Sequence, residues 1–148
     1  MDRLIKTFRT MYLTWLFLGV CHRRTGSALE ARKAFHRGLT LVGEEVARSP
    51  RSGYDRSFLA YFCAQLGEPA RAESEAAQSL LLSPAQVGPG WMAALTYERL
   101  GRRDKALNVL ASAPRDLLED TRRWPEASSL VSDERFLALM ASARTSER

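Results

Sequence analysis

Apolar residues recur along this chain at helical spacing. Leu4, Phe8, Met11, Trp15 and Leu18 follow one another in steps of four and three, which keeps them on one face of a single helix. No glycine or proline interrupts residues 2–18, so the pattern predicts one long helix reaching about Arg24. A second helix carries Ala28, Ala31, Ala34, Phe35, Leu39 and Val42 and runs until Pro50 and Gly53 stop it. Phe58, Leu59, Phe62, Cys63 and Leu66 precede Gly67, and Ala72, Ala76, Ala77, Leu80 and Leu81 follow it. Trp91, Ala94, Leu95, Tyr97 and Leu100 precede Gly101; Ala106, Leu107, Val109 and Leu110 follow, and Pro114 closes that helix early. No segment alternates apolar and polar residues between hairpin turns, so the chain reads as all-α.

The breaks between these helices repeat. Gly26, Gly67 and Gly101 are each followed five residues later by alanine, at Ala31, Ala72 and Ala106. Gly67 and Gly101 lie 34 residues apart, and Gly26 and Gly67 lie 41 apart. The extra seven residues predict a second helix longer by two turns, through 40–47. Arg23 and Arg24 before Gly26 suit a helix C-terminus, and Ser27 with Glu30 reads as a capping box for the next helix. Pro69 fits a first helical turn, and the stretch 83–90, with two prolines and two glycines, predicts a loop. After Pro114 the repeat is lost. Residues 115–123 are mixed and charged, Trp124 and Pro125 break the pattern, and Ser132 or Asp133 is expected to cap a terminal helix carrying Phe136, Leu137, Leu139 and Met140. A stack of helix pairs exposes an apolar edge at its end, so this tail reads as a cap.

At this point the chain resembles the tetratricopeptide repeat (TPR) family. The first unit offers Trp15, Leu18, Gly19, Gly26, Ala31, Phe35 and Gly38, with His22 where tyrosine is usual. The second offers Leu59, Ala60, Gly67, Ala72 and Pro84, and the third Ala94, Tyr97, Gly101, Ala106 and Ala113. The resemblance implies a single domain over 1–148: a right-handed superhelix, or α-solenoid, of three TPR-like helix pairs at about 12–50, 54–86 and 88–114. An N-terminal extension over 2–11 and a C-terminal capping helix within 115–145 complete it. It also implies a non-catalytic protein–protein interaction scaffold that binds a peptide or partner helix in a concave groove. By resemblance the groove positions are Leu13, Leu16, Val20 and Arg24, then Tyr54, Ser57, Tyr61 and Gln65, then Trp91, Leu95 and Arg99. The clamp with which some family members hold chaperone tails uses lysine and asparagine where this chain has Leu16 and Val20, so no chaperone-tail binding is expected. The stretch 130–139 also looks like the end of TPR regions in bacterial signalling proteins, including eukaryotic-like serine/threonine kinases and regulators. That implies an alternative role as the regulatory end of such a protein.

Composition narrows the picture. The chain has 148 residues, 45% of them hydrophobic, enough for one globular core. Its apolar run over 11–21 is shorter than the roughly 20 residues of a membrane span, and Arg23 and Arg24 stand where an exported chain has an uncharged cleavage region. Cys21 and Cys63 have no second cysteine near them and read as reduced packing residues, so a cytoplasmic setting is expected. His22 and His36 lack ligand partners at metal-binding spacing, and no nucleophile-elbow, phosphate-loop or kinase motif occurs. The expectation is therefore no enzyme, no cofactor and no metal, with a protein or peptide as partner. Leu4, Ile5, Phe8 and Met11 have no earlier unit to cover them and form a candidate interface for self-association. The formal charge of +5, with Arg3, Lys6, Arg9, Arg23, Arg24, Arg32, Lys33 and Arg37 in the first third, leaves nucleic-acid binding as a further alternative.

Overall fold

The computed structural model describes residues 2–84 and 86–145. The side chains of residues 2, 4–6, 8, 10, 144 and 145 lie outside that description, and with them the candidate interface positions Leu4, Ile5 and Phe8. The described residues form helices and no strands: α1 (Asp2–Arg24), α2 (Ala28–Arg48), α3 (Gly53–Gln65), α4 (Pro69–Leu82), α5 (Val87–Arg99), α6 (Arg103–Leu110), α7 (Arg115–Arg123), α8 (Ser128–Val131) and α9 (Glu134–Thr145). A 3-10 turn at Pro125–Ala127 leads from α7 into α8.

The first six helices form three hairpins, α1/α2, α3/α4 and α5/α6. All three turn in the same way. At each turn glycine takes a left-handed conformation, with φ of 80° at Gly26, 78° at Gly67 and 71° at Gly101. In each, the residue after glycine donates its N–H to the carbonyl five residues back, from Ser27 to His22 (2.8 Å), Glu68 to Cys63 (2.9 Å) and Arg102 to Tyr97 (2.8 Å). These are Schellman caps, which satisfy helix carbonyls that have no partner further along the helix. The alanine five residues on is buried in every case, because a methyl group is what the close approach of paired helices admits.

Three sequence expectations change. The buried line of α1 is Tyr12, Leu16, Gly19 and Val20, whereas Met11 and Leu18 are exposed and Trp15 is half-buried. The reason is Gly19: a Cβ there would stand 2.4 Å from Phe35 of α2, so glycine alone lets that ring seat and so sets which face turns inward. Ser27 makes no side-chain cap, and Glu30 pairs with Lys33 instead, at 2.9 Å. A side-chain cap forms at α3, where Ser52 Oγ accepts the Asp55 N–H at 3.2 Å and donates to the Asp55 carboxylate at 2.6 Å. The loop is shorter than 83–90, since α5 begins at Val87; Pro89 fits because N–H groups of a first turn need no intrahelical acceptor. Residues 115–123 are helical, with Leu118 and Thr121 buried on one side.

The extra seven residues do lengthen α2, which keeps Leu41, Val42 and Glu45 buried in its added turns. One core cluster joins Tyr12, Leu16, Phe35, Val42, Phe58 and Phe62; a second joins Tyr97, Leu107 and Leu110 with Leu118, Leu130, Phe136 and Met140 of the tail. The tail thus covers the third hairpin. Arg135 reaches Asp104 at 2.6 Å and Asp133 at 3.0 Å, and Asp133 accepts the Arg135 N–H at the start of α9.

Candidate functional site

The first helix of each hairpin contributes to one shared face, and the chain's own residues 124–126 lie on it. Trp124 packs edge-on against Phe17 of α1 (6.0 Å between ring centroids), Tyr61 of α3 (6.5 Å) and Trp91 of α5 (5.5 Å). Its backbone is extended, with φ −75° and ψ 122°, which the following proline favours. Two residues on, Glu126 sends its carboxylate between α1 and α3. One oxygen accepts from Arg23 Nη1 at 2.9 Å; the other accepts from the Tyr61 hydroxyl and from Gln65 Nε2, both at 2.8 Å. Arg23 Nη1 also donates to Gln65 Oε1, and its guanidinium stacks over the Phe35 ring at 4.9 Å.

This geometry follows from local structure. Tyr61 and Gln65 are one helical turn apart on α3 and therefore point the same way, while Arg23 sits in the last turn of α1, where a cation also suits the helix end. The Arg23 and Glu126 side chains are 29% and 18% exposed, so solvent still screens the pair and its net worth is about 1 kcal/mol. Burial pushes the Tyr61 hydroxyl well above its ordinary pKa, and the Glu126 carboxylate beside it adds to the rise. Tyr61 is thus a permanent donor at physiological pH. Beside this contact remains a cavity of about 290 Å³ bounded by Arg23, Tyr61, Leu95, Glu98, Arg99, Trp124 and Glu126. Glu98 accepts from Arg103 Nε at 3.2 Å, whereas Arg99 is exposed and has no ion-pair partner among the described residues. Trp91 Nε1 and Trp124 Nε1 are both buried without a hydrogen-bond partner among the described residues.

The predicted groove positions divide accordingly. Tyr61, Gln65, Trp91, Leu95 and Arg99 gather around residues 124–126. Leu16, Val20 and Ser57 are buried in the interior and present no surface, because the inward phase of α1 differs from the expected one and Ser57 donates to the Tyr54 carbonyl at 2.6 Å. Leu13 is half-buried against the core, and Tyr54 stacks on Phe58 at 5.0 Å under the Arg9 guanidinium. Arg24 is exposed, while its neighbour Arg23 makes the contact. Sequence reasoning did not place Phe17, Trp124 or Glu126 at this face and read Arg23 only as a helix-end cation and one of several basic residues; the one local signal was a tryptophan and proline inside an otherwise charged stretch.

Two other places were candidates for chemistry. Buried Asp55 accepts from Tyr12 OH at 2.7 Å, Arg9 Nε at 3.3 Å and Ser52 Oγ, a satisfied cluster that ties α1 to α3. A larger hollow of about 470 Å³ between α4, α5 and the start of α7 is bounded by residues such as Leu80, Val87, Val109 and Leu117 and by no charged side chain. Among the described residues no group of His, Cys, Asp and Glu is placed to hold a metal ion, and no helix is long and apolar enough to cross a membrane. No protein-family model, curated protein or solved structure matches this chain.

Proposed function

We propose that the chain is a TPR-like interaction scaffold whose inner, concave face, built from α1, α3 and α5, binds a polypeptide segment of a partner protein. The observation that carries this reading is the docking of residues 124–126 on that face. A short segment, extended at Trp124 and turned into a 3-10 helix at Pro125–Ala127, is already held there by three donors and three aromatic rings, so the face has the chemistry to bind polypeptide. The TPR relationship rests on three identical glycine turns, each followed by a buried alanine at the same offset, in three successive hairpins. The contacts of Trp124 and Glu126 engage aromatic and arginine side chains, the residue types that dominate binding energy at protein interfaces.

Site-specific photo-cross-linking tests this function. A photoreactive amino acid in place of Arg99, at the open rim of the face, is expected to trap a discrete partner in cells, whereas the same group in place of exposed Arg37 on α2 traps none. Equal trapping at both positions, or none at either, contradicts the reading.

A further inference from the structure

We infer that the partner segment carries an aromatic side chain followed two residues later by a carboxylate, and that residues 124–126 are a resident copy of that ligand, which the partner displaces. This rests on the interaction reading above and names its ligand chemistry. Trp124 and Glu126 meet the face through side chains alone: an indole against Phe17, Tyr61 and Trp91, and a carboxylate among Arg23, Tyr61 and Gln65. A segment with that spacing offers the same contacts when it takes the same backbone, extended at the aromatic residue and turned at the carboxylate.

The resident copy fits incompletely. It leaves Arg99 without an ion pair among the described residues, and a cavity of about 290 Å³ open beside Arg99, Leu95 and Glu126. With Glu98 engaged by Arg103, the free charge at that cavity is positive, which favours an acidic partner over a neutral one. The flanking helices α7 and α8 are anchored on the third hairpin by Leu118 and Leu130, so residues 124–126 form a short connection between two fixed points that can lift from the face while the three hairpins stay folded. A partner that fills that cavity and brings a charge to Arg99 gains contacts the resident lacks.

The test uses a fluorescein-labelled peptide with the sequence of residues 122–130, and the chain carrying Trp124→Ala and Glu126→Gln, which empties the face. In fluorescence anisotropy the variant is expected to bind the peptide at least about tenfold more tightly than wild type. That advantage is expected to vanish when Arg23→Ala is added or when the peptide's glutamate is replaced by glutamine. Equal affinity of variant and wild type, or indifference to the peptide's glutamate, overturns the proposal. If circular dichroism finds the variant unfolded, hydrogen exchange on wild type decides. The amides of Trp124 and Ala127 are then expected to exchange at least about tenfold faster than that of Leu66, and faster still with excess peptide. A single rate for all three, unmoved by peptide, overturns it. Failure here leaves a cross-link at position 99 to be explained by a partner of other chemistry; loss of that cross-link removes the interaction reading itself.

Discussion

Tyr61 shows how burial converts a titratable side chain into a fixed one. Its hydroxyl donates to Glu126 from inside the protein, and ionising it would place a second anion against that carboxylate. The other three tyrosines behave alike. Tyr12, Tyr54 and Tyr97 all have raised pKa values, chiefly from burial, and burial also pushes the Cys63 thiol up to about 11 from an ordinary value near 9. The unfolded chain releases these protons at about pH 9–10, while the folded chain keeps them, so in that window the native state binds more protons and stability falls as pH rises. Below about pH 8 both states are fully protonated at these sites and the effect vanishes. Urea melts are therefore expected to show a midpoint that drops between about pH 8 and pH 11, with tyrosinate absorbance appearing together with loss of helix. Four tyrosines that ionise near pH 10 while circular dichroism is unchanged would contradict this account of their burial.

The helices and their turns were largely legible in the sequence, because their determinants are local. Gly26, Gly67 and Gly101 end helices at the expected places, and the added turns of α2 follow from the longer first interval. The inward phase of α1 was not legible. Leu13, Trp15, Leu16, Phe17, Leu18 and Val20 make that helix apolar almost all round, so periodicity selects no single face. The choice is made by a contact between helices, Phe35 over Gly19, and the same device recurs between α2 and α3. There a Cβ on Gly38 would lie 2.3 Å from the Phe62 ring. Phe62 is fully buried and has no space to retreat, so Gly38→Ala is expected to lower stability by about 1–3 kcal/mol in chemical denaturation. Gly43, on the same helix with nothing within 4 Å of its would-be Cβ, is the control: alanine there is expected to be neutral or mildly stabilising, since alanine is the better helix former. Similar losses at both positions would refute close approach as the reason for Gly38.

The whole molecule is closed by its tail in two senses. Leu118, Leu130, Phe136 and Met140 cover the third hairpin, and residues 124–126 return to the face formed by α1, α3 and α5. The second contact left almost no trace in the sequence. Glu126 meets Gln65 and Arg23 across 61 and 103 residues, and no local pattern encodes a partner at that distance. Of the candidate site, Tyr61, Gln65, Trp91, Leu95 and Arg99 could be placed from helix spacing and family resemblance; Phe17, Arg23, Trp124 and Glu126 needed the fold. Everything proposed for the function depends on that long-range contact. A double-mutant cycle of Arg23→Ala and Glu126→Ala, measured by urea denaturation, tests it directly. The contact predicts a coupling energy of about 1 kcal/mol, reduced by added salt, as for a partly exposed ion pair. Losses that add to within about 0.3 kcal/mol would show that the tail does not rest on this face and would contradict the account.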